Sequence, residues 1–114
     1  MELADRECVP CRGGVPPLED DRAAALLAEL DNGWTLNANG HLDRAYRFGN
    51  FVDAMAFANQ VAAIAEAQSH HPDLHVRWGQ CRVEIWTHKI SGLTESDFFL
   101  AAKIDRAWKS AVGE

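Results

Sequence analysis

The segment from Glu66 to Asp97, EAQSHHPDLHVRWGQCRVEIWTHKISGLTESD, limits the possible folds of this chain more than any other. Pro72 cannot continue a helix and biases His71 away from the right-handed helical region, so a helix before it must end at His70-His71. Beyond the proline, Leu74, Val76 and Trp78 alternate with polar residues, Gly79-Gln80 can turn, and Cys81, Val83 and Ile85 alternate again. The segment therefore reads as a helix exit followed by a β-hairpin. Adjacent residues in extended chain point apart, so His70 and His71 are expected to have separate roles. The hairpin folds back and can return His88 to them. Three imidazoles converging on one cleft suit proton transfer near neutral pH.

The rest of the chain supplies elements for that unit to pack on. Pro16 and Pro17 end an irregular lead-in, and Glu19, Asp20 and Asp21 place negative charge where a helix begins. Ala23, Leu26, Leu27 and Leu30 recur at helical spacing, and Asp31-Asn32-Gly33 stops the run. Trp34-Thr35-Leu36 reads as a strand, Asn39-Gly40 as a hairpin turn, and Leu42, Tyr46 and Phe48 as one face of a second strand. A long helix follows from about Asn50, a plausible N-cap, to about Ser69. Its apolar rows, Phe51, Met55, Ala58, Ala62 and Ala65 beside Ala54, Phe57, Val61 and Ile64, predict a wide face lying flat on a sheet. Parity puts Arg82, Glu84, Trp86 and His88 on the opposite face of the last strand if it stays extended that far. Thr94 and Asp97 form a capping-box-like pair opening a final helix with Ala101, Ile104 and Trp108.

The expected fold is α+β: a four-stranded, largely antiparallel sheet with three helices on one face, in the order α-β-β-α-β-β-α. The open face and the edge strands then favour self-association, as a homodimer or homotetramer, if that face is partly apolar.

At 114 residues the chain fits one domain, here residues 16–114 after a lead-in over 1–15. The net charge of −6 and the absence of a Lys/Arg cluster argue against nucleic acid as a ligand. MELADREC has neither the basic nor the apolar region of a signal peptide, and no apolar run approaches a membrane span, so a cytoplasmic protein is expected. Cys8 and Cys11 form a CxxC, but without the second ligand pair of a zinc ribbon or the strand-to-helix setting of a redox motif. They are expected to be reduced thiols in an ordered tail, and Cys81 a small core residue.

No serine or cysteine sits in a nucleophile setting. His-His-Pro lacks the HxxxH face of a helical zinc site, so no metal is expected. Glu66 lies one helical turn before His70 and could join the cleft. His41 and His75 are expected on the surface, and Trp78 and Trp86 in packing, although either indole could stack on an aromatic ligand.

Glu66-x3-His70-His71-Pro72, then Trp78, His88 and Asp97 at their spacings, resembles the signature of the pterin-4a-carbinolamine dehydratases. Trp34, Thr87-His88, Gly92-Leu93-Thr94 and Leu100-Ala101-x2-Ile104-Asp105 extend the resemblance from about Pro16 to Trp108. It implies a lyase that removes water from 4a-hydroxytetrahydrobiopterin, with an α/β fold of this element order, assembled as dimers or tetramers, and no metal or organic cofactor. By the same resemblance His70, His71 and His88 are the expected catalytic residues, with His70 and His88 the acid/base pair and His71 orienting the pterin. Glu66, Pro72 and Trp78 are the expected substrate-binding residues. A binding module with a vestigial site, as in the animal members that dimerise a transcription factor, and a dehydratase of another pterin-like carbinolamine are the alternatives.

Overall fold

The computed structural model describes residues 2–9 and 16–111. Its elements are helix α1 (Asp20–Leu27), strands β1 (Thr35–Leu36) and β2 (Leu42–Arg47), helix α2 (Phe51–Gln68), strands β3 (Asp73–Arg77) and β4 (Gln80–Ile85), and helix α3 (Glu95–Ala111). Short 3-10 turns occupy Leu3–Asp5 and His88–Ile90. The strands form one antiparallel sheet in the order β1-β2-β4-β3, as the alternation patterns predicted in kind. No helix among the described residues is long and apolar enough to cross a membrane.

Each expected hairpin is present, but the sheet is made by pairing their inner strands. β2 lies against β4 with Leu42 opposite Ile85 and Tyr46 opposite Cys81. That register puts Leu42 and Tyr46 on the same face as Cys81, Val83 and Ile85, all fully buried under the helices. Phe57 and Val61 of α2 and Phe98, Leu100 and Ile104 of α3 close the core against them. Cys81 is the core residue expected, and burial pushes its thiol up to about 11.

α2 buries a narrower stripe than its sequence offers. Ala54, Phe57, Ala58, Val61 and Ala65 are buried, while Phe51, Val52, Met55 and Ala62 remain exposed. One helix resting on a sheet turns a single stripe inward, so the row of Ala54, Phe57 and Val61 faces the core and only Ala58 and Ala65 of the other predicted row join it. Asn50 caps this helix as expected, its Oδ1 accepting the Asp53 N–H at 2.7 Å. The exit is made by Ser69 in the left-handed conformation (φ 52°), ahead of Pro72, with the His70 N–H returning to the Ala65 carbonyl at 3.1 Å. The second hairpin turns at Trp78-Gly79, one residue earlier than expected, because Gly79 takes the positive φ of 72°.

Residues 2–9 lie along α2 and α3. Gln68 Oε1 accepts the Cys8 N–H (2.9 Å), Ser96 Oγ accepts the Val9 N–H (2.8 Å) and Lys103 Nζ donates to the Ala4 carbonyl (2.8 Å). Burial pushes the Cys8 thiol up to about 11, so it is not a thiolate at neutral pH. Cys11, and with it the Cys8/Cys11 pair, falls outside the described residues.

The outer sheet face carries a charged network and does not meet the condition, a partly apolar face, on which self-association through it was expected. Arg82 donates two hydrogen bonds to Asp43, and Asn37 Nδ2 donates to both Asp43 (2.9 Å) and Glu84 (2.8 Å). Burial would raise the Asp43 carboxyl, but the hydrogen bonds from Arg82 and Asn37 and the Arg82 charge outweigh it and hold it below the usual carboxylate range. Burial opposes the same shift at Glu84, where hydrogen bonds from His41 and Asn37 prevail. Carboxyls lowered in the folded state stabilise it above their unfolded pKa of about 4, and that contribution is lost as pH falls through the folded values. Urea midpoints are thus expected to hold steady from pH 7 to 5 and to drop below about pH 4. The drop should be smaller in the double variant Asp43→Asn, Glu84→Gln. An equal drop in both proteins would show that this network contributes nothing to acid sensitivity.

Candidate active site

The exit of α2, the chain after β4 and the start of α3 meet at one end of the sheet. There a cleft of about 230 Å³ is lined by Ser69, His70, His71, Trp86, Thr87, His88 and Lys89. The three histidines singled out from the sequence thus share one opening. β4 ends at Ile85, so His88 reaches the cleft from the 3-10 turn His88–Ile90 and not from an extended strand.

That turn is held by a short loop closing on itself. Thr87 and Gly92 exchange backbone hydrogen bonds, and the Leu18 N–H donates to the Leu93 carbonyl at 2.8 Å. Gly92 is required by this approach, since a Cβ there would lie 2.7 Å from Pro17 Cβ.

His70 and His71 do take separate partners. His70 Nε2 stands 2.6 Å from Oδ1 of Asp97, a fully buried carboxylate, and the His70 side chain is 10% exposed. Asp97 Oδ2 accepts the Thr87 hydroxyl and the Thr94 N–H, each at 2.8 Å. The Thr94 bond is one half of the predicted capping box. The carboxylate also sits in the first turn of α3, where the helix dipole favours negative charge. A buried anion with these donors fixes the His70 ring and engages Nε2, leaving Nδ1 as the nitrogen free to exchange a proton. His71 Nε2 meets Glu66 Oε2 at 2.5 Å on the surface, with both side chains more than half exposed. The His88 side chain is exposed and makes no hydrogen bond to another described residue, so both its nitrogens are open to a ligand.

The other expected site residues fall differently. Glu66 reaches the site through His71 and does not line the cleft. Pro72 begins the path into β3 and stays outside the lining. Trp78 sits at the tip of the β3–β4 turn, 71% exposed, at the far end of β3 from His71. A five-residue strand between them spans about 16 Å at the usual rise, so the structure does not bring Trp78 to the cleft.

Three contributors were not among the expected site residues. Asp97 was quoted in the family-like spacing but read as a helix cap, and its second oxygen holds His70. Trp86, expected in packing with stacking on a ligand left open, lines the cleft. His41, expected on the surface, stacks on Trp86 with ring centroids 4.0 Å apart and planes 3° from parallel. The signal was cross-strand register: with Leu42 opposite Ile85, His41 must lie beside Trp86. His75 does lie on the surface, as expected.

A larger hollow of about 660 Å³ lies between the 3-10 turn Leu3–Asp5, the end of α1 and α3. It holds no histidine, and its central charges are already paired: Asp105 with Arg44, Arg106 with Asp5, and Lys109 with Asp31.

Fold and cleft together define a small α+β protein with three imidazoles at one opening. Residues 16–107 match the family model described as Pterin 4 alpha carbinolamine dehydratase. The chain is 60% identical over 103 residues to a relative from Rickettsia canadensis, covering 90% of this chain and 94% of that one. It is 51% identical over 105 residues to one from Rubrobacter xylanophilus, covering 92% and 97%. Both relatives are named as pterin-4-alpha-carbinolamine dehydratases, with the activity marked as provisional. A crystal structure of the "transcriptional coactivator/pterin dehydratase from Brucella Melitensis" superposes with a TM-score of 0.73 at 29% identity, over 80% of this chain and 97% of that one. The chain belongs to the pterin-4-alpha-carbinolamine dehydratase family.

Proposed function

We propose that this protein is a hydro-lyase that converts 4a-hydroxytetrahydrobiopterin to quinonoid dihydropterin and water, in the recycling of tetrahydrobiopterin. The observation that carries the reading is the shared cleft of His70, His71 and His88, with His70 held on buried Asp97. Dehydration breaks the C4a–O bond. The departing hydroxyl takes up a proton and leaves as water, N5 gives up its proton, and the N5 electrons form the new double bond to C4a. One group must donate and another must accept, and His88 and His70 can divide these tasks in either order. Each transfer is worth roughly 10²–10⁴ in rate. His71, steadied by Glu66 at the rim, is suited to orienting the pterin. The step needs no cofactor.

The reading includes cytoplasmic location and assembly as a homodimer or homotetramer. What supports assembly is the exposed stripe Phe51, Val52 and Met55 on α2, together with the free edges of β1 and β3. The same stripe favours a second reading, a binding module that pairs with another protein, in line with the coactivator named for the Brucella structure. Stopped-flow decay of a 4a-hydroxytetrahydropterin separates the two. The dehydratase is expected to speed decay at least a hundredfold at saturating enzyme. Decay at the spontaneous rate would leave the binding module.

A further inference from the structure

We infer that His41, Glu84 and Trp86 form a positioning stack that sets the His88 imidazole over the cleft. The inference rests on the proposed site and adds to it a residue, His41, that lines no part of it.

The stack follows from strand register. Leu42 pairs with Ile85, which carries His41, one residue earlier, alongside Trp86, one residue later. Asp43 pairs with Glu84, bringing that carboxylate under the His41 ring, and Nδ1 of His41 lies 2.8 Å from Glu84 Oε2. Both side chains are largely buried, at 15% and 11% exposed. Asn37 secures the pair from the side: its Oδ1 accepts the His41 N–H at 3.1 Å and its Nδ2 donates to Glu84. A ring anchored at its nitrogen and through its backbone cannot swing, so the indole stacked flat on it is fixed in plane. The His88 ring then packs on Trp86 with centroids 4.2 Å apart at a tilt of 54°. With no hydrogen bond of its own to a described residue, His88 takes its orientation from the indole. Trp86 lines the cleft beside it, so the stack runs from the outer sheet face to the site.

The test compares wild type with His41→Ala and His41→Phe, reading kcat and KM for dehydration and the His88 ring-proton NMR signals, assigned by their loss in His88→Ala. An indole ring current displaces protons lying over it, so those signals report the Trp86–His88 contact whether or not the protein is a dehydratase. His41→Ala is expected to move the His88 signals toward free-imidazole values and to lower kcat about ten- to a hundredfold, with KM within about twofold. His41→Phe keeps the flat ring without the Glu84 bond and should restore part of both, the remaining loss marking the Glu84 anchor. Unchanged His88 signals and kcat in a folded His41→Ala protein would overturn the inference, and so would His41→Phe behaving like His41→Ala. If wild type fails to accelerate dehydration yet His41→Ala still shifts the His88 signals and His41→Phe restores them in part, the proposed function falls and the stack stands.

Discussion

Replacing His70 and His88 together by alanine is expected to remove the acceleration of 4a-hydroxytetrahydropterin dehydration. Each imidazole would carry one of the two proton transfers, and groups that act as a unit lose most of their effect when either is removed. The exposed His88 gives the cleaner single variant. His88→Ala should lower kcat by about 10²–10⁴ with little change in melting temperature. His70→Ala behaves differently, because it strips a hydrogen bond from a fully buried carboxylate. Leaving Asp97 short of a partner costs about 1.5–3 kcal/mol, so its rate loss must be read beside a melting curve. Rates within threefold of wild type in the folded double variant would end the acid/base assignment.

Asp105→Ala is expected to be strongly destabilising. Asp105 is 5% exposed and gathers three donors: Trp34 Nε1 at 2.9 Å, Arg44 Nη1 at 2.8 Å and the Tyr46 hydroxyl at 2.5 Å. Burial raises the Asp105 carboxyl above the usual range, and the Tyr46, Arg44 and Trp34 donors offset only part of that. Burial and the same carboxylate push the Tyr46 phenol upward, keeping it a neutral donor. Alanine would leave the Trp34 indole N–H and the Tyr46 phenol without this acceptor and the Arg44 guanidinium with only Asp31, at 3.6 Å. Breaking a buried charged pair from one side costs about 3–5 kcal/mol. For a domain of this size the melting temperature should fall on the order of 10–20 °C. Asp105→Asn, which keeps one acceptor oxygen, should lie between. A melting temperature within about 3 °C of wild type for the alanine variant would show that the hub adds little to stability.

The two predictions draw on parts of the sequence that differ in legibility. Asp105 was quoted only within a run of family-like residues, because nothing in Ile104-Asp105 tells a solvated acid from one joined to Trp34, Arg44 and Tyr46. Those partners come from three other segments, and their meeting depends on how α3 lies on the sheet. Asp97 was read correctly as a cap through its bond to the Thr94 N–H. Its bond to His70 was hidden, since the two lie 27 positions apart and share no periodicity. Trp78 was drawn toward the site by its place in the family-like spacing, while the turn at Gly79 puts it at the opposite end of the strand.

Local patterning by itself determined the element order, the caps and breaks at Asn50, Pro72 and Thr94, the alternation that buries Cys81, Val83 and Ile85, and the doublet of imidazoles at a helix exit. These depend on nearest neighbours and on periods of 2 and 3.6 residues, which a single chain displays directly. Tertiary structure decided the pairing of β2 with β4, and with it the contact of His41 with Trp86, the burial of Asp97 behind His70 and the charged outer face. Those follow from register between distant segments. Strands of similar pattern can pair in several orders, and the choice is made by packing the whole core at once.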